Sequence, residues 1–366
     1  MKKLLAIIIT LVIIGGISFG LITFVNERNK EEKPEDKPIV SVPKEEPEEE
    51  PKEEPKEEPK PVEPPVEKPK PKPNPKPNPK PSNPNIKNPT VRKPKNVSDT
   101  AWACMISDDA TFNKQVQSDY NSIMTQIKKY DVNVYYHNLA DNNKVLYREN
   151  VSHYAASTVK PAAALYYYEK AAKGEIDLDK TYKFTQKYWD RSVRKRLELD
   201  SNQTLRNLIK YSMIYSDNGA HRLLVDIIGF DKLNKYVDAK MGVGNRFFPN
   251  TYFGNITAVE GNILVNELYK FIDENGALGQ EMKSYMLDAI LNQLKIKGVP
   301  AAHKYGWWKK DFHEIGIIYD EYPYTIVILS KYGENDAFKT QVKKLHTKIY
   351  DYHAKYISQK KAYCGA

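Results

Sequence analysis

A serine and a lysine three residues apart, Ser157 and Lys160, are the first residues in this sequence whose spacing could do chemistry. They open a predicted helix, where a spacing of three places two side chains on one face. A hydroxyl is a weak nucleophile until a neighbour takes its proton, and a desolvated lysine can take it because burial lowers its pKa. A helix N-terminus also offers a backbone N–H and a favourable dipole to an oxyanion. The pair therefore predicts a nucleophile with its own base.

The Ser157–Lys160 spacing is a weak signal by itself. The same spacing occurs in three other places, beginning at Ser41, Ser192 and Ser358. A helix-capping serine followed by a surface lysine would produce it equally well. Other motifs must therefore decide which serine is the candidate nucleophile.

Two further motifs follow Ser157 in the chain. Ser216-Asp217-Asn218 occurs once, between two predicted helices, although these residue types also cap helices. Lys304-Tyr305-Gly306 comes next, is followed by Trp307 and precedes two predicted strands. A second Lys-Tyr-Gly run, at 331–333, lies at the end of the last predicted strand. The order of the motifs selects Ser157.

In this order the three motifs resemble those of the serine β-lactamase and penicillin-binding-protein superfamily, whose signature is Ser-x-x-Lys, Ser-Asp-Asn and Lys-Thr-Gly. The resemblance covers residues 130–356 and is greatest to the class A β-lactamases. It implies an α+β, β-lactamase/transpeptidase-like fold with an antiparallel sheet and a helical subdomain. It also implies a serine hydrolase that works through an acyl-enzyme.

The resemblance assigns the catalytic roles. Ser157 would attack the carbonyl of a β-lactam or a D-alanyl amide, with Lys160 as the proton acceptor. Ser216 would relay that proton to the leaving nitrogen. The backbone N–H groups of Ser157 and Trp307 would form the oxyanion hole.

The resemblance also assigns substrate binding, to Asn218, Lys304, Tyr305 and Gly306, with Asp217 in a structural role. Tyr305 departs from the family pattern, which has a Thr or Ser whose small hydroxyl helps to bind the substrate carboxylate. A phenol is larger and carries its oxygen further out. Carboxylate binding is therefore in question, although Lys304 and Gly306 keep the charge and the room of the strand.

A second departure concerns hydrolysis of the acyl-enzyme. Class A β-lactamases carry a glutamate, with an asparagine four residues later, between the second and third motifs, and this glutamate activates water. Residues 239–259 contain no Asp or Glu. Glu260 is the nearest acid, but it lies in a predicted helix and is followed by Asn262, two residues later instead of four. Glu198 has the wrong order, because it precedes the second motif. The sequence therefore predicts an enzyme that is acylated by β-lactams or D-Ala-D-Ala peptides and deacylates slowly.

Two alternatives to this function stay open. One is a true β-lactamase, which the missing Glu-x-x-x-Asn disfavours. The other is a catalytically silent cell-wall-binding protein, which the intact catalytic residues disfavour. No cofactor or metal is predicted, because the histidines show no ligand spacing; those considered are His137, His153, His221 and His303.

Hydrophobic periodicity and turn residues predict the elements that position these motifs. Two β-rich runs, 132–139 and 144–150, form a predicted hairpin. Helices are predicted at 112–129, 158–173, 204–215, 218–228, 231–240, 257–274, 280–294 and 336–356, and strands at 313–320 and 324–332. Strands, a helical middle and a return to strands predict an α+β fold whose N- and C-terminal parts share one sheet.

The N-terminal quarter of the chain has a different composition. Residues 4–25 are 22 uncharged, mostly apolar positions, enough to span about 30 Å of hydrocarbon. No convincing cleavage site follows them, so residues 1–30 are predicted to be a membrane anchor, with a cleaved signal peptide as the alternative. Residues 31–97 repeat Glu-Glu-Pro-Lys, Lys-Pro and Asn-Pro units and are predicted to be a disordered stalk. Together they predict a single-pass cell-membrane protein whose catalytic domain, 98–366, faces the cell wall outside the cytoplasm.

Charge and cysteines add two expectations. The net charge of +9 comes from 56 basic and 47 acidic residues that are interspersed, so nucleic acid is not a predicted partner. The predicted partners are the membrane and a β-lactam or peptidoglycan peptide. Cys104 and Cys364 are the only cysteines, and the sequence leaves open whether they form a disulfide or stay thiols.

Overall fold

The computed structural model describes residues 90–190, 197–332 and 336–366. The predicted anchor at 4–25 and most of the predicted stalk lie outside these residues, and both stay predictions. Within the described ranges, no helix combines the length and the apolar character that a membrane span requires. Val91, in the segment that the sequence assigned to the stalk, packs against the hydrophobic core.

Nine strands and ten α-helices are found in the described part of the chain. The strands are β1 (Val132–Asn138), β2 (Lys144–Tyr147), β3 (His153–Tyr154), β4 (Thr181–Phe184), β5 (Ser201–Thr204), β6 (Asn255–Ile256), β7 (Ala301–Trp308), β8 (Asp311–Ile318) and β9 (Tyr324–Ser330). The helices are α1 (Asp99–Met105), α2 (Ala110–Gln115), α3 (Gln117–Ile127), α4 (Lys160–Ala172), α5 (Leu205–Ile214), α6 (Asn218–Ile228), α7 (Phe230–Met241), α8 (Ala258–Glu274), α9 (Gly276–Leu287) and α10 (Asp336–Cys364).

Five of the strands form one antiparallel sheet in the order β2-β1-β9-β8-β7. The predicted hairpin is confirmed as β1 and β2, and the predicted sharing of one sheet is confirmed because β1 pairs with β9. In β9, Ile326 and Ile328 belong to a core layer with α10, whereas Val327 and Leu329 belong to a layer with α8. Alternate residues of a strand face opposite sides, so an apolar run such as this one suits a central strand covered on both faces.

The helical prediction is largely confirmed, with three corrections. The helix predicted at 112–129 is two helices, because the chain turns at Val116 between α2 and α3. The helix predicted at 280–294 starts earlier and ends at Leu287, where Ile290 N–H donates instead to Ile214 O and the chain leaves the helical path. The last helix continues past 356 to Cys364.

Strand β7 was not predicted from the local pattern. It forms the free edge of the five-stranded sheet and pairs with β8 from Ala301 to Trp308. Its sequence, AAHKYGWW, mixes charged and aromatic residues without a clean alternation, which explains why periodicity alone did not find it.

The two cysteines form a disulfide, which the sequence had left open. Cys104 in α1 and Cys364 at the end of α10 have Cα atoms 5.6 Å apart and are separated by 260 residues in sequence. The bond joins the first and last helices of the described domain. In the chain-entropy account, closing so long a loop stabilises the folded state by roughly 5 kcal/mol.

Candidate active site

Ser157 lies in a short 3₁₀ turn, Ala156–Val159, immediately before α4. The turn is closed by the Thr158 hydroxyl, which donates to Ala155 O at 2.6 Å. Ala156 has a φ of 48°, a left-handed conformation that costs a residue with a side chain about 1–2 kcal/mol. Such strain is characteristic of positions where the backbone presents a functional side chain.

Gly306 allows the edge strand β7 to lie against this turn. A Cβ at Gly306 would lie 2.8 Å from Ala155 O and 3.0 Å from Thr158 N, both backbone atoms that cannot move aside. Only glycine permits so close an approach. The approach places the backbone of the third motif beside the turn that carries Ser157.

The second motif connects α5 to α6. Asp217 is the N-cap of α6, and its carboxylate accepts from Ala220 N at 2.8 Å, as its predicted structural role requires. Ser216 has a φ of 58°, again in the left-handed region. The strained loop turns both Ser216 and Asn218 toward the amine of Lys160.

Lys160 is buried and bound to the second motif. Its Nζ donates to Ser216 O at 2.6 Å and to Asn218 Oδ1 at 2.8 Å, and lies 3.3 Å from Ser216 Oγ. Burial and then the positive charge of Lys304 hold the pKa of Lys160 well below its usual 10.5. A neutral amine in this place can accept a proton.

Lys304 reaches the same hydroxyl from the other side. Its Nζ donates to Ser216 Oγ at 2.9 Å and to Tyr305 O at 2.9 Å. Lys304 is also buried, and burial lowers its pKa to about 7. Ser216 Oγ therefore lies between two buried amines, so the structure brings the three sequence motifs together at one point.

The expected hydrogen bond between Ser157 and Lys160 is not formed. The partners of the Lys160 amine are on Ser216 and Asn218, and the Ser157 hydroxyl is not among them. Ser157 lies in the 3₁₀ turn, whereas Lys160 begins α4 and extends its amine to the second motif. Catalytic hydrogen bonds are often long in unliganded sites and tighten when substrate binds.

The acid-free stretch at 239–259 lies directly beside the turn that carries Ser157. Strand β6 pairs with β3, and Ala155 N donates to Gly254 O at 2.8 Å. From this stretch the ring of Phe253 lies over Lys160, with 5.6 Å between Nζ and the ring centroid. An aromatic side chain thus faces the buried amine.

Glu260, the acid that follows this stretch, has a structural role. Its carboxylate accepts from the N–H of Thr257 at 2.7 Å in a capping box that begins α8. The same carboxylate pairs with Arg246 at 2.7 Å. Both oxygens are therefore engaged at the start of a helix.

One acid near the site was missed by the sequence analysis. Asp190 Oδ2 accepts from Asn218 Nδ2 at 3.1 Å, and the Arg222 guanidinium lies 4.0 Å from it. Gly219 makes room for this loop, because a Cβ there would lie 2.0 Å from Tyr188 O. The glycine after Asn218 was the only signal in the sequence for this close packing.

Three possible metal ligands on β3 and β8 have ligand atoms within 4.8 Å of one another: His153, Asp311 and His313. Both ring nitrogens of His313 are already engaged, since Nε2 donates to Tyr154 O at 2.9 Å and Nδ1 accepts from Ser330 N at 3.1 Å. Lys331 pairs with Asp311 at 2.8 Å, where it would oppose a cation. These hydrogen bonds and this ion pair are better explained as polar contacts that join β3 to β8 than as a metal centre.

The fold has a five-stranded antiparallel sheet and a helical part, and the Ser216 hydroxyl lies between two buried lysine amines beside the Ser157 turn. These features are those of a serine hydrolase of the class A β-lactamase-like group. The sequence profile of Beta-lactamase2, described as a β-lactamase enzyme family, matches residues 115–353. The chain belongs to this family.

Solved structures share the fold. PBP-A has a TM-score of 0.58 and 16% identity, covering 66% of this chain and 97% of its own. The TLA-3 extended-spectrum β-lactamase has a TM-score of 0.56 and 20% identity, and the match covers 65% of this chain and 98% of the β-lactamase chain. A mutant of PBP-A, solved as its acyl-enzyme complex with penicillin G, has a TM-score of 0.55 and 14% identity, covering 66% and 97%. No curated protein matches the sequence significantly.

Proposed function

We propose that Ser157 is acylated by β-lactams or by D-Ala-D-Ala peptides of peptidoglycan, and that the acyl-enzyme is hydrolysed slowly. The observation that carries this proposal is the convergence of Lys160 and Lys304 on the Ser216 hydroxyl, beside the Ser157 turn. The penicillin G acyl-enzyme of the PBP-A mutant supports the choice of probe.

Acylation requires the Lys160 amine to turn from its partners on Ser216 and Asn218 toward the Ser157 hydroxyl. Neutral Lys160 takes the proton of Ser157 Oγ as that oxygen attacks the carbonyl carbon. The proton passes through Ser216, which contacts both lysine amines, to the leaving nitrogen. The backbone N–H groups of Ser157 and Trp307 hold the oxyanion, a contribution of about 3 kcal/mol per donor in comparable enzymes.

Deacylation needs a base that takes a proton from water. In class A β-lactamases a glutamate between the second and third motifs is this base, whereas here that stretch, 239–259, places an aromatic ring beside Lys160. Phe253 contacts Lys160 from this stretch, and Glu260 is held in its capping box. A positioned base contributes about 10²- to 10⁴-fold to a proton transfer. Its loss raises the deacylation barrier by roughly 3–5 kcal/mol.

A second candidate function, a true β-lactamase, is favoured by one observation. Asp190 is a carboxylate that hydrogen-bonds to Asn218 inside the site. If Asp190 could reach a water beside the acyl group, hydrolysis would be fast. Its contact with Arg222 and its place on the Asn218 side favour an electrostatic role instead.

Intact-mass spectrometry with benzylpenicillin, followed over time, tests the function. The protein should gain the mass of one penicillin on the peptide that contains Ser157 and keep it for many minutes. Ser157→Ala should abolish the adduct, whereas the matched variant Ser192→Ala should retain it. An unmodified wild-type protein under saturating drug, or labelling at Ser192, would sink the assignment.

We also propose that the chain is anchored through residues 4–25, with its catalytic domain outside the cytoplasm and facing the cell wall. The apolar length of this segment and the Cys104–Cys364 disulfide, a bond typical of oxidising compartments, support this placement. Full-length protein should stay in the membrane pellet after a high-salt wash and keep its N-terminal peptide. A mature N-terminus between positions 26 and 45 would instead indicate a cleaved signal.

A further inference from the structure

The aromatic ring of Tyr305 covers the amine of Lys304. The distance from Lys304 Nζ to the ring centroid is 4.1 Å, which is within cation–π range. The amine also donates to Ser216 Oγ and to Tyr305 O, both at 2.9 Å. An ammonium has three donors, so two are used by the protein and the ring lies close to the remaining surface.

We infer that Tyr305 closes Lys304 against substrate anions, so that a carboxylate next to the edge strand does not favour acylation and acyl donors without that carboxylate react as readily. This inference rests on the proposed function, because it concerns the substrate of the same nucleophile. It makes Tyr305 a specificity-determining residue.

Burial is the first support for this inference. Lys304 has no exposed surface, although it lies on an edge strand beside the site. The ring of Tyr305, at 4.1 Å from the amine, is one of the groups that a substrate carboxylate would have to displace. A carboxylate that stopped above the ring would lose water without gaining a cation, which is costly.

The electrostatics of the ring act in the same direction. The face of an aromatic ring carries partial negative charge, so it attracts the lysine amine beneath it and repels an anion above it. Burial lowers the pKa of Lys304 to about 7, so the amine is also partly uncharged near neutral pH. An anion would therefore meet little positive potential.

The opposite side of the site carries a negative group. Asp190 hydrogen-bonds to Asn218 and lies 4.0 Å from the Arg222 guanidinium. The other lysine of the site, Lys160, is buried and donates to Ser216 and Asn218. The charges of the site thus give an anionic acyl donor no advantage over a neutral one.

The test compares acylation by benzylpenicillin with acylation by its methyl ester, which lacks the carboxylate charge. Acylation rates of the full-length protein are measured by intact mass for the wild type, Tyr305→Thr and Tyr305→Phe. In the wild type the two probes should react within about threefold of each other. Tyr305→Thr opens the amine and should raise the acid-to-ester rate ratio about tenfold or more. Tyr305→Phe keeps the ring and should keep the wild-type ratio.

Several results would overturn the inference. A wild-type protein that reacts tenfold faster with the acid than with the ester would show that the ring does not exclude anions. An unchanged ratio in Tyr305→Thr, or a raised ratio in Tyr305→Phe, would contradict the role of the ring. Tyr305→Ser replaces Tyr305→Thr if thermal unfolding shows that the latter is misfolded. If folded wild-type protein reacts with neither probe, the proposed function itself fails, and this inference with it.

Discussion

The ring of Phe253 lies over the amine of Lys160, at 5.6 Å from Nζ to the ring centroid, in the stretch where class A β-lactamases carry their water-activating glutamate. This contact predicts the effect of one substitution. Phe253→Glu should place a carboxylate near the acyl group and shorten the life of the penicillin adduct about 10²-fold. The decay of the adduct by intact mass measures this.

Phe253→Gln is the matched control, because it has the size of the glutamate without its charge. Its adduct should last about 10²-fold longer than that of the Glu variant, since an amide cannot accept the proton of water. Equal lifetimes for folded Phe253→Glu and Phe253→Gln would contradict a missing base as the cause of slow turnover.

The pH dependence of acylation should report the base. Burial and the neighbouring Lys304 hold the pKa of Lys160 well below 10.5, so its neutral fraction at a given pH exceeds that of an exposed lysine. Below that pKa the neutral fraction falls tenfold for each pH unit, so acylation should fall in proportion as pH decreases. Stopped-flow acylation rates with nitrocefin, measured at about ten pH values between roughly 5 and 9, give the profile.

Lys160→Ala should lower acylation by about 10²- to 10⁴-fold and remove this acid limb. A variant that keeps the wild-type profile would show that another group is the base. A wild-type acylation rate that increases as the pH decreases would equally contradict the assignment.

Asp190 should tune the same titration. Its negative charge favours the ammonium form of Lys160 and raises the pKa of that lysine. Asp190→Asn removes the charge while an amide still fills the space, so the acid limb of acylation should move to lower pH. A shift to higher pH would contradict this electrostatic role.

The same variant separates the two candidate functions. If Asp190 only acts electrostatically, the adduct of Asp190→Asn should decay about as slowly as that of the wild type. If Asp190 were a base for water, the adduct of Asp190→Asn should last roughly 10²-fold longer. Single-turnover mass spectrometry distinguishes these results.

The disulfide should contribute to stability without contributing to chemistry. The double substitution Cys104→Ser with Cys364→Ser should lower the free energy of unfolding by about 2–5 kcal/mol, because the unfolded chain is no longer constrained. Denaturant unfolding measures the loss, and each single variant should match the double variant. Acylation of the folded double variant should persist, since the bond joins α1 to α10 and not the site elements. A change below about 0.5 kcal/mol would contradict the stabilising role.

The sequence by itself was sufficient to predict a serine hydrolase and an α+β fold. Ser157 with Lys160, the Ser-Asp-Asn triplet and Lys304 with Gly306 are local patterns, and their order along the chain was sufficient to identify the family that the profile match shows. Most helices and the first hairpin were also predictable, because hydrophobic periodicity records which face of an element is buried.

Only the tertiary structure decided what surrounds those residues. Asp190 reaches Asn218 because Gly219 lets a loop pack closely, and Phe253 faces Lys160 because β6 pairs with β3. These contacts join segments far apart in sequence, and their distances depend on how whole elements pack. A local pattern specifies which residue types are present, whereas burial, charge and reach are properties of the packed neighbourhood, which forms only when the chain folds.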